Sequence, residues 1–141
     1  MPVWEKTRPR IYSVVTGFFP ETSPRPSWET NPRPLLVCGV ATHVDTGQHF
    51  CRIAYGTTKH LELAKPNDLV IGNLSKLDAL GLKYPTRFVV YAGSQMVILP
   101  WSEKHFHPWS GKRSPILGRL PDDMQNFLGW ALASLSDLPP F

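Results

Sequence analysis

The sequence predicts a mainly β domain of α+β type: a small, partly closed barrel of five to seven short strands with one C-terminal α-helix packed on it. Three observations predict this. Short runs of β-branched and aromatic residues recur between turn signals, at a spacing that fits strands. Pro supplies 15 of the 141 residues, about twice the usual share, which fits strands joined by structured loops and not a helical bundle. A single apolar stripe of helical period stands near the C-terminus.

The elements follow in order. Ile11-Tyr-Ser-Val-Val-Thr16 reads as the first strand. Residues 20–34 form a long Pro-rich loop that holds five of the 15 Pro, with Trp28 in its middle. Its length marks either a functional or partner-covered loop, or a surface excursion pinned by Trp28. Its place just before Arg33 sets it beside any site there, with more freedom than the strands.

Leu35–Ala41 and Gln48–Tyr55 make a hairpin turning at Asp45-Thr-Gly47. In its second strand His49, Cys51, Ile53 and Tyr55 share one face, and Phe50, Arg52 and Ala54 the other. Pro66-Asn-Asp68 turns the chain into a short strand, Leu69–Ile71. Residues 75–81 make one or two helical turns ending at Gly81. Thr86–Tyr91 and Gln95–Leu99 are two more strands, split at Ala92-Gly-Ser94, and Pro100–Phe106 leaves the last strand to begin a short helix.

The clear helix spans residues 121–135. Pro121 fits its first position, and Asp122 and Asp123 favour the positive end of the helix dipole. Met124, Phe127, Leu128, Ala131, Leu132 and Leu135 form its stripe. Trp130 falls off the stripe, either packed on a loop or tail or serving as an interface anchor. Trp101 and Trp109 are likewise unassigned to the core.

The whole chain, 1–141, is one domain's worth. A net charge of +4 and a pI near 9.3 permit a polyanionic partner without requiring one. The two Cys, Cys38 and Cys51, lie in apolar runs and out of register across the hairpin. They read as buried free thiols in a reducing, cytoplasmic compartment. No C-x-x-C occurs, and no metal or other cofactor is expected. The N-terminus lacks the apolar core of a signal peptide, and no apolar run approaches the ~18 residues of a membrane helix.

Arg33 reads from the residues alone either as an ordinary exposed charge at a strand end or as a grip for a phosphate. Pro32 and Pro34 hold it extended at the mouth of a strand, where its planar fork of donors can grip a phosphate. Thr57 and Thr58 end a neighbouring strand with two hydroxyls, and Lys59 adds a second charge. Lys59, Arg52, Arg87, Lys83 and His43 are candidate RNA-binding residues, with Tyr55 or Tyr84 stacking on bases. Scattered charge of this kind is more commonly a solvated face. His105 and His107 flank Phe106 and have the residue types of an acid–base pair, but read as surface or loop residues without a third metal ligand.

These residues resemble the MazF/PemK family of toxins from toxin–antitoxin systems. Arg33-Pro-Leu-Leu-Val37 is similar to that family's Arg-Pro-x-Leu-Val strand. Ile53-Ala-Tyr-Gly-Thr-Thr-Lys59 is similar to its second strand, which ends in hydroxyl residues. Tyr84-Pro-Thr-Arg-Phe88, Val97-Ile-Leu99 and Leu117-Gly-Arg-Leu-Pro-Asp-Asp-Met124 resemble three later motifs, in the family's order. The chain departs from the family at Ser27-Trp-Glu-Thr-Asn-Pro32, which replaces an acidic-Gln-x-Gly loop. It departs again at Pro100-Trp-Ser-Glu-Lys104, which replaces a segment that shapes the dimer and the substrate groove.

The resemblance implies an SH3-like barrel, a homodimer, an antitoxin partner and metal-independent cleavage of single-stranded RNA. It assigns Arg33 to binding the phosphate and to stabilising or protonating the leaving oxygen. It assigns Thr57, or Thr58 one register on, to a non-bridging oxygen. Two other readings stand beside it. One is a barrel that has lost catalysis and binds a protein or nucleic acid. The other is an inhibitor of DNA gyrase acting through the C-terminal helix and Trp130.

Overall fold

The structure is a computed structural model that describes residues 2–20 and 32–141. Its strands are β1 (Ser13–Gly17), β2 (Arg33–Thr42), β3 (His49–Thr57), β4 (Leu69–Ile71), β5 (Thr86–Phe88), β6 (Val97–Pro100) and β7 (Ile116–Arg119). Two α-helices complete it, α1 (Leu74–Ala79) and α2 (Asp122–Ala133). All the strand pairings are antiparallel. The order β4-β5-β3-β2-β1-β7, with β6 also on β3, gives a curled half-barrel sheet carrying a C-terminal helix.

β3 is the hub. Residues 49–55 pair with β2, while its other edge is shared: residues 50–53 pair with β6, and Gly56 and Thr57 pair with β5. The centre of the sheet is covered on both faces. On one face α2 lays Met124, Leu128 and Ala131 over Val14, Leu36 and Ala54. On the other, Trp4, Trp101 and Phe106 cover Val15, Leu35 and Ile53. All five residues of β1 are buried, as expected of a strand covered on both sides.

The hairpin of β2 and β3 forms as the sequence predicts. A bulge falls between Val37 and Gly39, so Val40, not Gly39, stands across from Cys51. The two thiols point to opposite faces of the sheet and lie in separate cores, both free and both buried. Burial pushes each thiol's pKa up to about 12.

The structure corrects several boundaries. β2 already begins at Arg33, so the end of the expected 20–34 loop is strand. The rest of that loop, with Trp28 and Ser27–Asn31, lies at residues 21–31, outside the described residues. The strand expected over Thr86–Tyr91 stops at Phe88. Beyond it, the N–H groups of Val90 and Tyr91 donate to the Asp68 carboxylate at 2.8 and 2.9 Å instead of to a sheet neighbour.

Pro100–Phe106 forms turns and not a helix, and Phe106 closes an isolated bridge to Gly17. β7 is an addition: its four residues include Gly118, too little alternation to read as a strand without its partner β1.

Trp101 is buried, and its indole N–H donates to the Trp4 carbonyl at 3.0 Å. It is core, not a free anchor. Pro121 is the N-cap of α2, so the helix begins at Asp122, one position after the expected start, and ends at Ala133.

Candidate functional site

The site is built at one end of β2 and β3. These strands pair as Leu35 to Tyr55 and Leu36 to Ala54. The recorded pairing ends there; the same register carried two residues further would set Arg33 level with Thr57, which itself pairs with Arg87 of β5. The strands remain close there: a Cβ on Gly56 would run into the Pro34 carbonyl oxygen. Directly paired residues of an antiparallel ladder point to the same face. Arg33, Tyr55 and Thr57 therefore share the face of Leu35 and Ile53, at the rim of the second core.

Arg33 is exposed, and Gly17 of β1 faces it on the other side. Tyr55 is 39% exposed, with its ring 5.6 Å from Phe19. An exposed guanidinium beside an exposed aromatic ring is a surface on which a phosphate and a base can both rest.

The end of β3 is tightly tied. The Thr57 hydroxyl accepts from the Lys59 N–H at 3.1 Å and donates to the Lys59 carbonyl at 3.4 Å. Thr58 and Lys59 are exposed. His60 then takes a left-handed backbone, with φ of 57°. A non-glycine residue in that region is uncommon, and such conformations gather at functional sites.

The remaining predicted residues divide by place. Lys83 is exposed on the turn that feeds β5, whose Arg87 pairs with Thr57, so it stands toward the same end of the sheet. His43 is exposed at the β2–β3 turn, the opposite end of the hairpin, and its ring nitrogen takes the Thr46 N–H at 3.3 Å. Arg52 lies under the C-terminal tail. Its Nε donates to the Pro139 carbonyl at 3.0 Å, and its guanidinium sits 4.5 Å from the centre of the Phe141 ring.

Arg87 is buried and grips Asp68 through Nε and Nη2, each at 2.9 Å. Burial by itself would raise the Asp68 pKa. The N–H groups of Lys65, Tyr91 and Val90, together with Arg87, outweigh burial and hold it low. Arg87 and Asp68 thus form a buried tie that fixes β5 beside Thr57.

The structure brings a further segment to this end. Phe106 bridges Gly17, the Phe18 N–H donates to the His105 carbonyl at 2.8 Å, and the His107 N–H donates to the Thr16 carbonyl at 3.1 Å. His105 and His107 therefore lie across β1 from Arg33, about 10 Å away at two strand spacings. Burial and the neighbouring Lys104 charge lower the His105 pKa, favouring its neutral form. Trp109 donates its indole N–H to the Pro32 carbonyl at 2.9 Å, anchoring the residue before Arg33. The His-Phe-His pattern was the sequence signal for this segment; the role of Trp109 left no local trace.

Among the described residues no group of three or more His, Cys, Asp or Glu could hold a metal ion. No helix among them is long and apolar enough to cross a membrane. No protein-family model matches the chain, and no curated protein matches it.

Proposed function

We propose that this chain is a toxin-like, metal-independent endoribonuclease of the MazF/PemK kind, cleaving single-stranded RNA in the cytoplasm as a homodimer and neutralised by an antitoxin protein. The observation that carries this reading is the convergence of Arg33, at the start of β2, and Thr57, at the end of β3, where Gly56 packs against the Pro34 carbonyl beside the exposed ring of Tyr55.

A phosphodiester placed there meets donors from both strands. The ribose 2′-hydroxyl attacks phosphorus and loses its proton. The bond from phosphorus to the 5′-oxygen breaks, and that oxygen takes up a proton. Negative charge grows on the phosphate oxygens, and the paired donors of the Arg33 fork would stabilise it there. The hydroxyl of Thr57 holds a non-bridging oxygen once released from Lys59, and Thr58 is the alternative. Lys59 and Lys83 add positive charge along the same end.

A second reading, a binding module without catalysis, draws on a specific observation. The hydroxyl of Thr57 is occupied by Lys59, and Arg52 and Arg87 are occupied by the tail and by Asp68.

Cleavage of a long single-stranded RNA in excess chelator separates the two. The nuclease reading expects cleavage to persist and to leave 2′,3′-cyclic phosphate ends. Retention of RNA without cleavage by folded protein would replace it with the binding-module reading.

A further inference from the structure

We propose that a cleft at the opposite end of β2 from Arg33 is a binding site for a compact oligophosphate, a small molecule carrying two or more phosphate charges. The cleft is open to solvent, spans about 390 Å³ and is lined by Arg8, Pro9, Arg10, Ile11, Val40 and Arg119. That volume falls within the ~300–1,000 Å³ typical of small-ligand sites. Val40 stands roughly 23 Å from Arg33 along the strand, at ~3.3 Å per residue, so the cleft is separate from the candidate nuclease site.

Local sequence builds it. Pro9 is buried and restricts both itself and Arg8 to extended backbone. In an extended run Arg8 and Arg10 point to the same side. A turn then closes with the Ser13 N–H on the Arg10 carbonyl at 3.3 Å, and Tyr12 within it takes a left-handed φ of 71°. A bulky aromatic residue is strained in that conformation. The strain is held by ties on both sides: the Tyr12 N–H donates to the Val37 carbonyl and the Leu120 N–H to the Tyr12 carbonyl, each at 2.9 Å.

The same turn positions Arg119. Its Nε donates to the Ile11 carbonyl at 3.1 Å, and its guanidinium lies 6.0 Å from the centre of the Tyr12 ring. Only Nε is committed, so the two terminal nitrogens retain their donors for a ligand.

Charge decides the ligand class. Among the described residues three guanidinium groups line the cleft, and no carboxylate does. Among the described residues neither Arg8 nor Arg10 has an ion pair or a side-chain hydrogen bond. A single carboxylate ligand would balance one of these charges. An oligophosphate balances several, and its tetrahedral groups accept the paired donors of guanidinium. A nucleic-acid track would interleave exposed aromatic rings for stacking. Here the apolar lining is Pro9, Ile11 and Val40, with no aromatic among them.

The test is calorimetric titration of the full chain with pyrophosphate in low salt and chelator. The comparison set is Arg10→Gln, Arg119→Gln and an RNA oligomer without terminal phosphates, each variant checked by its thermal unfolding midpoint. Saturable binding of pyrophosphate to the wild type is expected. Each substitution should weaken it about tenfold or more with the midpoint unchanged, as for a lost charge-assisted hydrogen bond. No saturable binding to the folded wild type would overturn the proposal. So would binding indifferent to both substitutions, or tighter binding of the oligomer with the same arginine dependence.

Discussion

Asp68 shows how one residue sets the position of others. Its carboxylate takes the Lys65, Val90 and Tyr91 N–H groups and the Arg87 guanidinium, which ends β5, turns the chain and holds Arg87 beneath the candidate site. Removing one member of a buried ion pair costs about 3–5 kcal/mol, so Asp68→Asn should lower urea-unfolding stability on that scale. An unchanged midpoint would contradict this role. The folded pKa of Asp68 is lowered from the ordinary 3.8. Its contribution is therefore complete above that value and is lost as pH falls through the lower folded value. The acid limb of the stability curve should be shallower in Asp68→Asn than in the wild type. Arg87 looked like a groove charge in the sequence because burial depends on a partner 19 positions away. Arg52 misled for the same reason, since the tail that covers it arrives 87 positions later.

At the scale of elements, β2 and β3 were legible because short runs of β-branched and aromatic residues on either side of a Gly-containing turn are local signals. The α2 stripe was legible too: Met124, Leu128 and Ala131 are buried as its period requires. What local pattern could not reveal was decided by partners. β7 exists because β1 offers an edge, and β5 stops where Asp68 captures the backbone. The junction of β2, β3 and β5 turns on Gly56. A Cβ there would meet the Pro34 carbonyl oxygen and stand 2.9 Å from the Phe88 ring. Gly56→Ala should therefore cost about 1–3 kcal/mol of stability, as overpacking does. Because the clash pushes β2 from β3 beside Arg33 and Thr57, RNA cleavage should fall as well. Wild-type values in both urea unfolding and cleavage would show that the junction is slack.

Across the whole molecule, the half-barrel covers the centre of its sheet on both faces, and few large aromatics remain outward. Of the three Trp read as candidate anchors, Trp101 is core and Trp109 is tied to Pro32, leaving Trp130, 57% exposed with its ring 5.8 Å from Phe127. The proposed homodimer predicts a sedimenting species heavier than the 15.9 kDa chain at micromolar concentration. Observation of the 15.9 kDa species alone would remove it. The candidate site was half legible: Arg33 and the Thr57–Lys59 end carry their own signals, whereas their convergence is a property of register. The His105–Trp109 segment reaches that end only through β1 and Pro32. The central claim is that Arg33 stabilises charge on a cleaved phosphodiester, and the most direct measurement is the rate of cleavage of single-stranded RNA by the wild type and by Arg33→Ala. The account predicts a loss on the order of 10²-fold or more, poorly restored in Arg33→Lys because a point charge lacks the paired donors. Equal rates for wild type and Arg33→Ala, with both proteins folded, would contradict it.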